Sequence, residues 1–511
     1  MSEPSTKGPR KRHCWECRHR SLVCDSARPG CRRCATAGMA CPGYSGVKPS
    51  RYKWLAPGTV AARPWKRQRQ ETAPAPTASA RRDAQPTGAR QSPGALPLHV
   101  LPIESIMFEA AQYFNTRIYT GLLPLTELIS NPHVYPISDA MLDRAQTRPQ
   151  YLQLGVVCMA LGHYMAQLAD ASKPAALIER FYTYRGMAIR ALNSALDHDQ
   201  KATHDILLIG VMSHLLLDAQ QGLPVTWRWH LQGLEKLMAL RGGIAEISRA
   251  PGLEPFLVSV LSIGVIGNTT SPASDLTLAD VHMDAIDYII GCTATSPFHM
   301  CPPSLFANIV RINHIRHQMT CLSPSSPAQT LYHDAGAVLS HIIGFDVAAW
   351  VFSKPAAKKP PLWQLVGRFF KGATCLYCIL SLQDLVGVLS KSQLVPFNTL
   401  DTFVEQLSVD LAEAVQIPAI RQFTLWPLIV LGVAAGNCHR SSDTNAAVTD
   451  VRAFVSAQLV GLSRDVGTFS PLVAKGVLER FWSSGKNTWD SCFDKPYIFT
   501  SRLAVDTNGV P

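Results

Sequence analysis

The stretch Cys14-Trp15-Glu16-Cys17-Arg18-His19-Arg20-Ser21-Leu22-Val23-Cys24, answered by Cys31-Arg32-Arg33-Cys34-Ala35-Thr36-Ala37-Gly38-Met39-Ala40-Cys41, decides what the front of this chain builds. Both halves read C-x2-C-x6-C. Two thiolates separated by two residues meet at one point across a tight turn and can grip a tetrahedral zinc ion. Three ligands per half cannot close two separate four-coordinate sites, whereas six can close two if two of them bridge. The repeat itself does not say which two.

A disulfide framework is the competing reading of six close cysteines, and it needs an oxidising compartment and usually a leader peptide. Met1 to Arg12 is polar and basic with no apolar run. The other eight cysteines are scattered, most of them in apolar sequence where a free thiol behaves as a small hydrophobe. A reducing interior suits all fourteen better. Cys375 and Cys378 form a further C-x2-C inside the apolar run Ala373 to Leu382, and a core helix is expected there rather than a redox pair.

The six-cysteine spacing, with Arg18 and Arg20 after the first pair and Pro29 between the halves, resembles the fungal binuclear zinc-cluster transcription factors. The resemblance implies two zinc ions per cluster. One would be held by Cys14, Cys17, Cys24 and Cys31, the other by Cys14, Cys31, Cys34 and Cys41, with Cys14 and Cys31 shared. It also implies double-stranded DNA as partner and the nucleus as compartment. In such proteins a short helix beginning near the first cysteine pair enters the major groove, and one or two side chains read guanines. The residues matching that surface are Arg18, His19, Arg20, Ser21, Arg32 and Arg33. Here the chain departs from the family, whose usual run of basic residues after the second cysteine is replaced by Arg18-His19-Arg20-Ser21. A serine hydroxyl is too short for a bidentate guanine contact, so Arg20 is expected to read bases. Arg18, Arg32 and Arg33 are expected on phosphates.

Charge is distributed unevenly. Residues 1–100 hold 19 Lys and Arg against 5 Asp and Glu, a net of +14, while the remainder holds 29 against 32. A basic arm on a neutral body fits a polyanion, and the zinc module in the same arm favours nucleic acid over an anionic membrane. Lys7, Arg10, Lys11 and Arg12, and again Arg63, Lys66, Arg67 and Arg69, are candidates for nuclear import or phosphate contact. At 55.9 kDa the chain needs help to enter a nucleus.

These features divide the chain into a basic arm at 1–13, the zinc cluster at 14–41, a basic extension at 42–55, a flexible Pro/Ala/Thr/Arg/Gln-rich linker at 56–97, a large all-α regulatory domain at 98–500 and a tail at 501–511. Apolar residues recur at three and four positions through the body. Helices are expected over Tyr151–Ala169, Ala176–Leu196, Ile206–Leu217, Thr226–Leu240, Thr402–Val415 and Val448–Leu462. Gly242 and Gly243 should end the fourth of these in a left-handed stop. No apolar stretch is expected to reach about 18 residues, so no membrane span is expected. The segments His230 to Gly243, Leu425 to Gly432 and Phe481-Trp482 resemble the second type of fungal transcription-factor domain. His230 and Arg241 fit packing and capping roles better than a ligand cleft.

No phosphate loop, dinucleotide fingerprint, H-E-x-x-H or nucleophile elbow occurs, and no catalysis is expected. Two weaker constellations remain. One is His314 and His317 with Arg311 and Arg316 nearby. The other is Asp280, Asp284 and Asp287 on one expected helical face beside His282. The leading reading is a sequence-specific regulator of a pathway-specific gene set, such as a secondary-metabolite cluster, with the body serving dimerisation, partner binding or effector sensing. A homodimer is compatible with the chain, no heptad repeat follows the finger, and no residue defines a small-molecule effector. The alternative is a zinc-dependent scaffold that binds protein or nucleic acid without sequence preference. A defined footprint at physiological salt separates the two.

Overall fold

A computed structural model describes residues 14, 17, 24–28, 30–37, 41, 102–128, 135–168, 174–198, 205–250, 252–295, 300–321, 329–354, 358–383, 385, 399–437 and 444–500. The arm 1–13, the extension 42–55, the linker 56–97 and the tail 501–511 lie outside them. The chain divides into two compact units, Met1–Leu96 and Pro97–Pro511.

In the first unit the described residues gather around the cysteines and include one short helix, α1 (Arg32–Thr36). The second unit is helical, with no strand among the described residues. Its principal helices begin with α2 (Ile103–Tyr113), α3 (Asp139–Gln146), α4 (Gln150–Gln167), α5 (Ala175–His198), α6 (Asp205–Gln221) and α7 (Thr226–Leu240). They continue with α8 (Glu254–Thr269), α9 (Ala279–Asp284), α10 (Ile286–Thr295), α11 (Pro303–Cys321), α12 (Gln329–Ile343) and α13 (Val347–Phe352). The last are α14 (Pro360–Ser381), α15 (Thr399–Ala414), α16 (Leu425–Asn437), α17 (Thr444–Val466), α18 (Ser470–Ser484) and α19 (Trp489–Cys492).

The expected helices are all present, displaced by a few residues at their ends. Thr226–Leu240 has the expected limits. It ends in a double hydrogen-bonded stop, with Gly243 N–H donating to Met238 O at 2.9 Å and Gly242 N–H to Ala239 O at 3.1 Å. Both glycines take positive φ, 88° and 81° for Gly242 and Gly243, which a side chain would resist.

A helix that is apolar all round has no face to give to water and must sit inside. Helix α16 is one: every residue from Leu425 to Ala435 is buried. Helices α6 and α8 are nearly so. Around them α4 packs on α5 and α6, α6 on α7, α8 on α11, α11 on α14, α14 on α15 and α16, and α16 on α17 and α18. Cys375 and Cys378 are buried on α14, where burial pushes the Cys378 thiol to about 12, so they are core residues as expected.

One expectation on length changes. The helical run Pro418–Asn437 is long and apolar enough, by length and composition, to cross a membrane, because α16 continues N-terminally through two short turns and its most apolar window admits Arg421. Of that window, 78% is buried inside the body.

The end of the described chain ties the bundle together. Trp227 Nε1 donates to Pro496 O at 2.9 Å, Trp489 Nε1 to Thr269 O at 2.8 Å, and Tyr497 N to Thr270 O at 3.1 Å. Each indole thus puts its apolar body in the core and gives its single donor to a backbone carbonyl.

Candidate metal centre

The twofold repeat in the sequence reappears as a twofold pattern of N–H···S bonds. Cys17 N–H donates to Cys14 Sγ at 3.3 Å, and Cys34 N–H donates to Cys31 Sγ at 3.3 Å. In the second half this makes Cys31 the N-cap of α1, its sulfur taking a helix amide that would otherwise lack a partner. Asp25, the first residue after Cys24, supplies a carboxylate to the Arg32 N–H at 3.1 Å, and so fixes the start of the same helix. Between the halves Ser26 takes a left-handed φ of 59°. A Cβ at Gly30 would stand 3.1 Å from Cys41 Cβ, tighter than an ordinary contact, so Cys41 would have to shift by a few tenths of an ångström to admit it.

The sulfurs converge. Cys14 Sγ lies 3.6 Å from Cys31 Sγ and 3.7 Å from Cys34 Sγ, and Cys17 Sγ lies 3.7 Å from Cys31 Sγ. A disulfide needs about 2.0 Å, whereas four sulfurs each 2.3 Å from one zinc stand about 3.8 Å apart along a tetrahedral edge. The observed separations match the second figure. Two four-sulfur groups satisfy it, Cys14, Cys17, Cys24, Cys31 and Cys14, Cys31, Cys34, Cys41, each with its sulfurs within 4.8 Å of one another. These are the two sets that the family resemblance implied, with the same shared pair. Five of the six cysteines are buried and Cys41 is partly so.

The donor chemistry fits zinc as well as the distances do. Burial pushes the Cys14 and Cys34 thiols up, and it raises the Cys17 thiol to about 12 with crowding by neighbouring sulfurs adding to the rise. So many sulfurs this close cannot share negative charge alone. A dication between them supplies the compensating charge and holds them as thiolates. All-sulfur tetrahedral sets with every position filled are the structural type, leaving no open coordination position for catalysis.

Of the residues expected to face DNA, Arg32 and Arg33 are exposed on α1, between the buried Cys31 and Cys34. Arg18, His19, Arg20 and Ser21 lie outside the described residues. Asp25 and Gly30 were not singled out in the sequence. Asp25 is the sole acidic residue between Cys17 and Cys41, which is the signal that could have found it.

In the two weaker constellations of the body, Asp280, His314, His317, Arg311 and Arg316 take structural partners. Asp280, Asp284 and Asp287 do not share one helix face, because the helix breaks at Ala285 (φ −94°, ψ 11°) into α9 and α10. Asp280 turns to α11 and meets His314 Nδ1 at 3.1 Å and His317 Nε2 at 3.9 Å. His282 is fully buried, with neither ring nitrogen hydrogen-bonded, and burial lowers it to about 4, so it stays neutral. Arg311 donates to Asn308 Oδ1 at 3.0 Å. Arg316 is buried and bonds to the carbonyls of Asn268 and Ser271, to Tyr377 Oη at 3.0 Å and to Asp490 Oδ1 at 2.5 Å. His230 meets Asp218 at 3.4 Å, and Arg241 pairs with Asp205, so both hold helices together as expected.

Comparison with known proteins places both units. A family model described as the fungal Zn(2)-Cys(6) binuclear cluster domain matches residues 12–51, and one described as the fungal specific transcription factor domain matches residues 110–499. Over 506 residues the chain is 37% identical to a phomenoic acid biosynthesis cluster-specific transcriptional regulator of Leptosphaeria maculans, covering 98% of this chain and 91% of the relative. No solved structure matches the chain.

Proposed function

Because the chain belongs to the fungal-specific transcription factors that carry an N-terminal Zn(2)-Cys(6) binuclear cluster, we propose that it regulates, from the nucleus, one local gene set of the secondary-metabolite kind. The observation that carries the DNA-binding part is the pair of overlapping four-sulfur groups sharing Cys14 and Cys31. A cluster closed this way has no open metal position and gives a small module the rigidity to hold basic side chains against phosphates. The gene-set part is supported by the L. maculans relative, whose name ties it to one biosynthesis cluster.

In this reading Arg18, Arg32 and Arg33 neutralise phosphates and release counterions, while Arg20 reads base edges with His19 and Ser21 beside it. The chain binds as a homodimer and catalyses no reaction. One of the two basic clusters, Lys7 to Arg12 or Arg63 to Arg69, serves import. Asp280 pairs with His314, and Arg316 with Asp490, across separate helices, which supports the non-catalytic reading.

Genome-wide chromatin binding in the native host tests this. Occupancy is expected at promoters of one contiguous biosynthetic gene set, with a shared motif. Scattered occupancy without a motif would overturn it. Selection from random DNA with wild type and Arg20→Ala tests the base reader, and an unchanged motif would remove Arg20 from that role.

A further inference from the structure

Residues 494–499 run without regular secondary structure through a groove formed by the start of α7, the end of α8 and the start of α18. Pro496, Tyr497, Ile498 and Phe499 are buried, whereas Asp494 and Lys495 just before them are exposed. The groove takes hold of the main chain of this segment. Pro496 O accepts from Trp227 Nε1 at 2.9 Å and from Val225 N–H at 3.2 Å. Tyr497 N–H donates to Thr270 O at 3.1 Å, and Tyr497 O accepts from Thr270 Oγ1 at 3.0 Å. Ile498 O accepts from Ser470 Oγ at 3.2 Å. The rings of Tyr497 and Phe499 stack 5.7 Å apart at 9°, as alternate residues on one side of an extended chain can. Main-chain bonds along an extended segment, with pockets for its side chains, are how proteins hold a separate peptide.

The wall of the groove that meets Pro496 is strained. Val225 takes φ 75° and ψ −48°, and Thr226 N–H bonds back to Pro224 O at 2.9 Å. This is the three-residue γ-turn with positive φ, which is rare and strained. Among the described non-glycine residues with positive φ, Val225 alone is β-branched, and a branched Cβ makes that conformation hardest to hold. The turn sets Val225 N–H and the Trp227 indole on the same carbonyl oxygen. The strained turn and the seated segment therefore hold each other in place through Pro496 O.

We propose that residues 494–499 are a latch. They occupy their groove as an internal peptide ligand, and they leave it as a unit, hinging at the exposed Asp494 and Lys495, while the helices around the groove stay folded. Seating keeps the Val225 turn in its strained form, and release lets that turn relax at the start of α7. Buried side chains and the hydrogen bonds to the groove favour closure, and the strain at Val225 favours release. The body thus has two states that differ in one short segment and in the entry to α7.

Hydrogen exchange of the zinc-loaded full chain, read at single amides by fragmentation mass spectrometry, tests the latch. The Val225 and Tyr497 amides are bonded across the groove, to Pro496 O and Thr270 O, so one opening frees both. They are expected to share one protection factor, about tenfold or more below that of the buried amides of α16. Val225→Gly relieves the seated turn and should raise both factors about fivefold. Thr270→Val keeps the shape, removes the hydroxyl donor to Tyr497 O, and should lower both about fivefold. Exchange of the two amides only together with α16 would make the segment a plain part of the core and overturn the latch. So would unequal factors for the two amides, or a Val225→Gly chain in which Tyr497 is no better protected.

Discussion

Cys14 and Cys31 lie 17 positions apart in the chain and bring their sulfurs to 3.6 Å, and each belongs to both four-sulfur groups. The two halves of the repeat are therefore not two independent fingers. Each half lends its first cysteine to the other, and neither metal set closes without both.

Substitution should expose that sharing. Cys31→Ala removes a ligand from both sets, and Cys41→Ala removes one from a single set. Structural zinc contributes on the order of 10 kcal/mol to small modules, so Cys31→Ala is expected to hold no zinc and lose DNA binding. Cys41→Ala should retain more zinc than Cys31→Ala. Metal analysis of the purified variants checks this, and equal zinc content in the two would contradict the sharing.

Acid should destabilise the body before it reaches the carboxylate range. Burial lowers His163, His214 and His282 to about 4. The unfolded chain takes up these protons near pH 6.5, the folded body only near 4. Their stabilisation is full above about 6.5 and is lost as pH falls from there toward 4, by on the order of 3 kcal/mol for each fully buried ring. Thermal midpoints measured from pH 7.5 to 4.5 should fall steadily below about 6.5, and a flat profile to pH 5 would count against the neutral buried histidines.

Two glycines with the same backbone should differ in tolerance. Gly467 (φ 68°) and Gly485 (φ 69°) both follow helices in the left-handed region. A Cβ on Gly467 would come within 2.0 Å of the His163 ring, whereas nothing lies within 4 Å of one on Gly485. Gly485→Ala is expected to cost about 1 kcal/mol, the left-handed penalty alone. Gly467→Ala should cost several times that by urea unfolding, because His163 must move as well.

The Arg316 strut should be asymmetric. Arg316 is 1% exposed, and Asp490 is 46% exposed. Arg316→Ala leaves two backbone carbonyls and Tyr377 Oη without their donor and is expected to cost roughly 3–5 kcal/mol. In Asp490→Asn the arginine keeps its other three partners, so a cost near 1 kcal/mol is expected. Denaturant midpoints of the two variants check the ranking.

The parts readable from sequence are those with local causes. Cysteine spacing fixed the ligand sets once the family resemblance named the shared pair, and two adjacent glycines marked the end of α7. The break at Ala285 was not legible, since Ala279 to Thr295 contains no proline or mid-run glycine near the break and reads as one helix. The chain bends there as α9 turns Asp280 toward the histidines of α11. The Arg316 strut was equally hidden. Asp490 meets it from 174 positions away, and nothing near either residue announces the other.

Zinc-edge X-ray absorption on the purified, DNA-competent chain tests the central claim most directly. Two zinc ions per chain, each surrounded by four sulfurs at about 2.3 Å, with a short zinc–zinc vector from the Cys14 and Cys31 bridges, is the predicted result. A single zinc per chain, nitrogen or oxygen in the coordination shell, or two zinc ions with no zinc–zinc vector would contradict it.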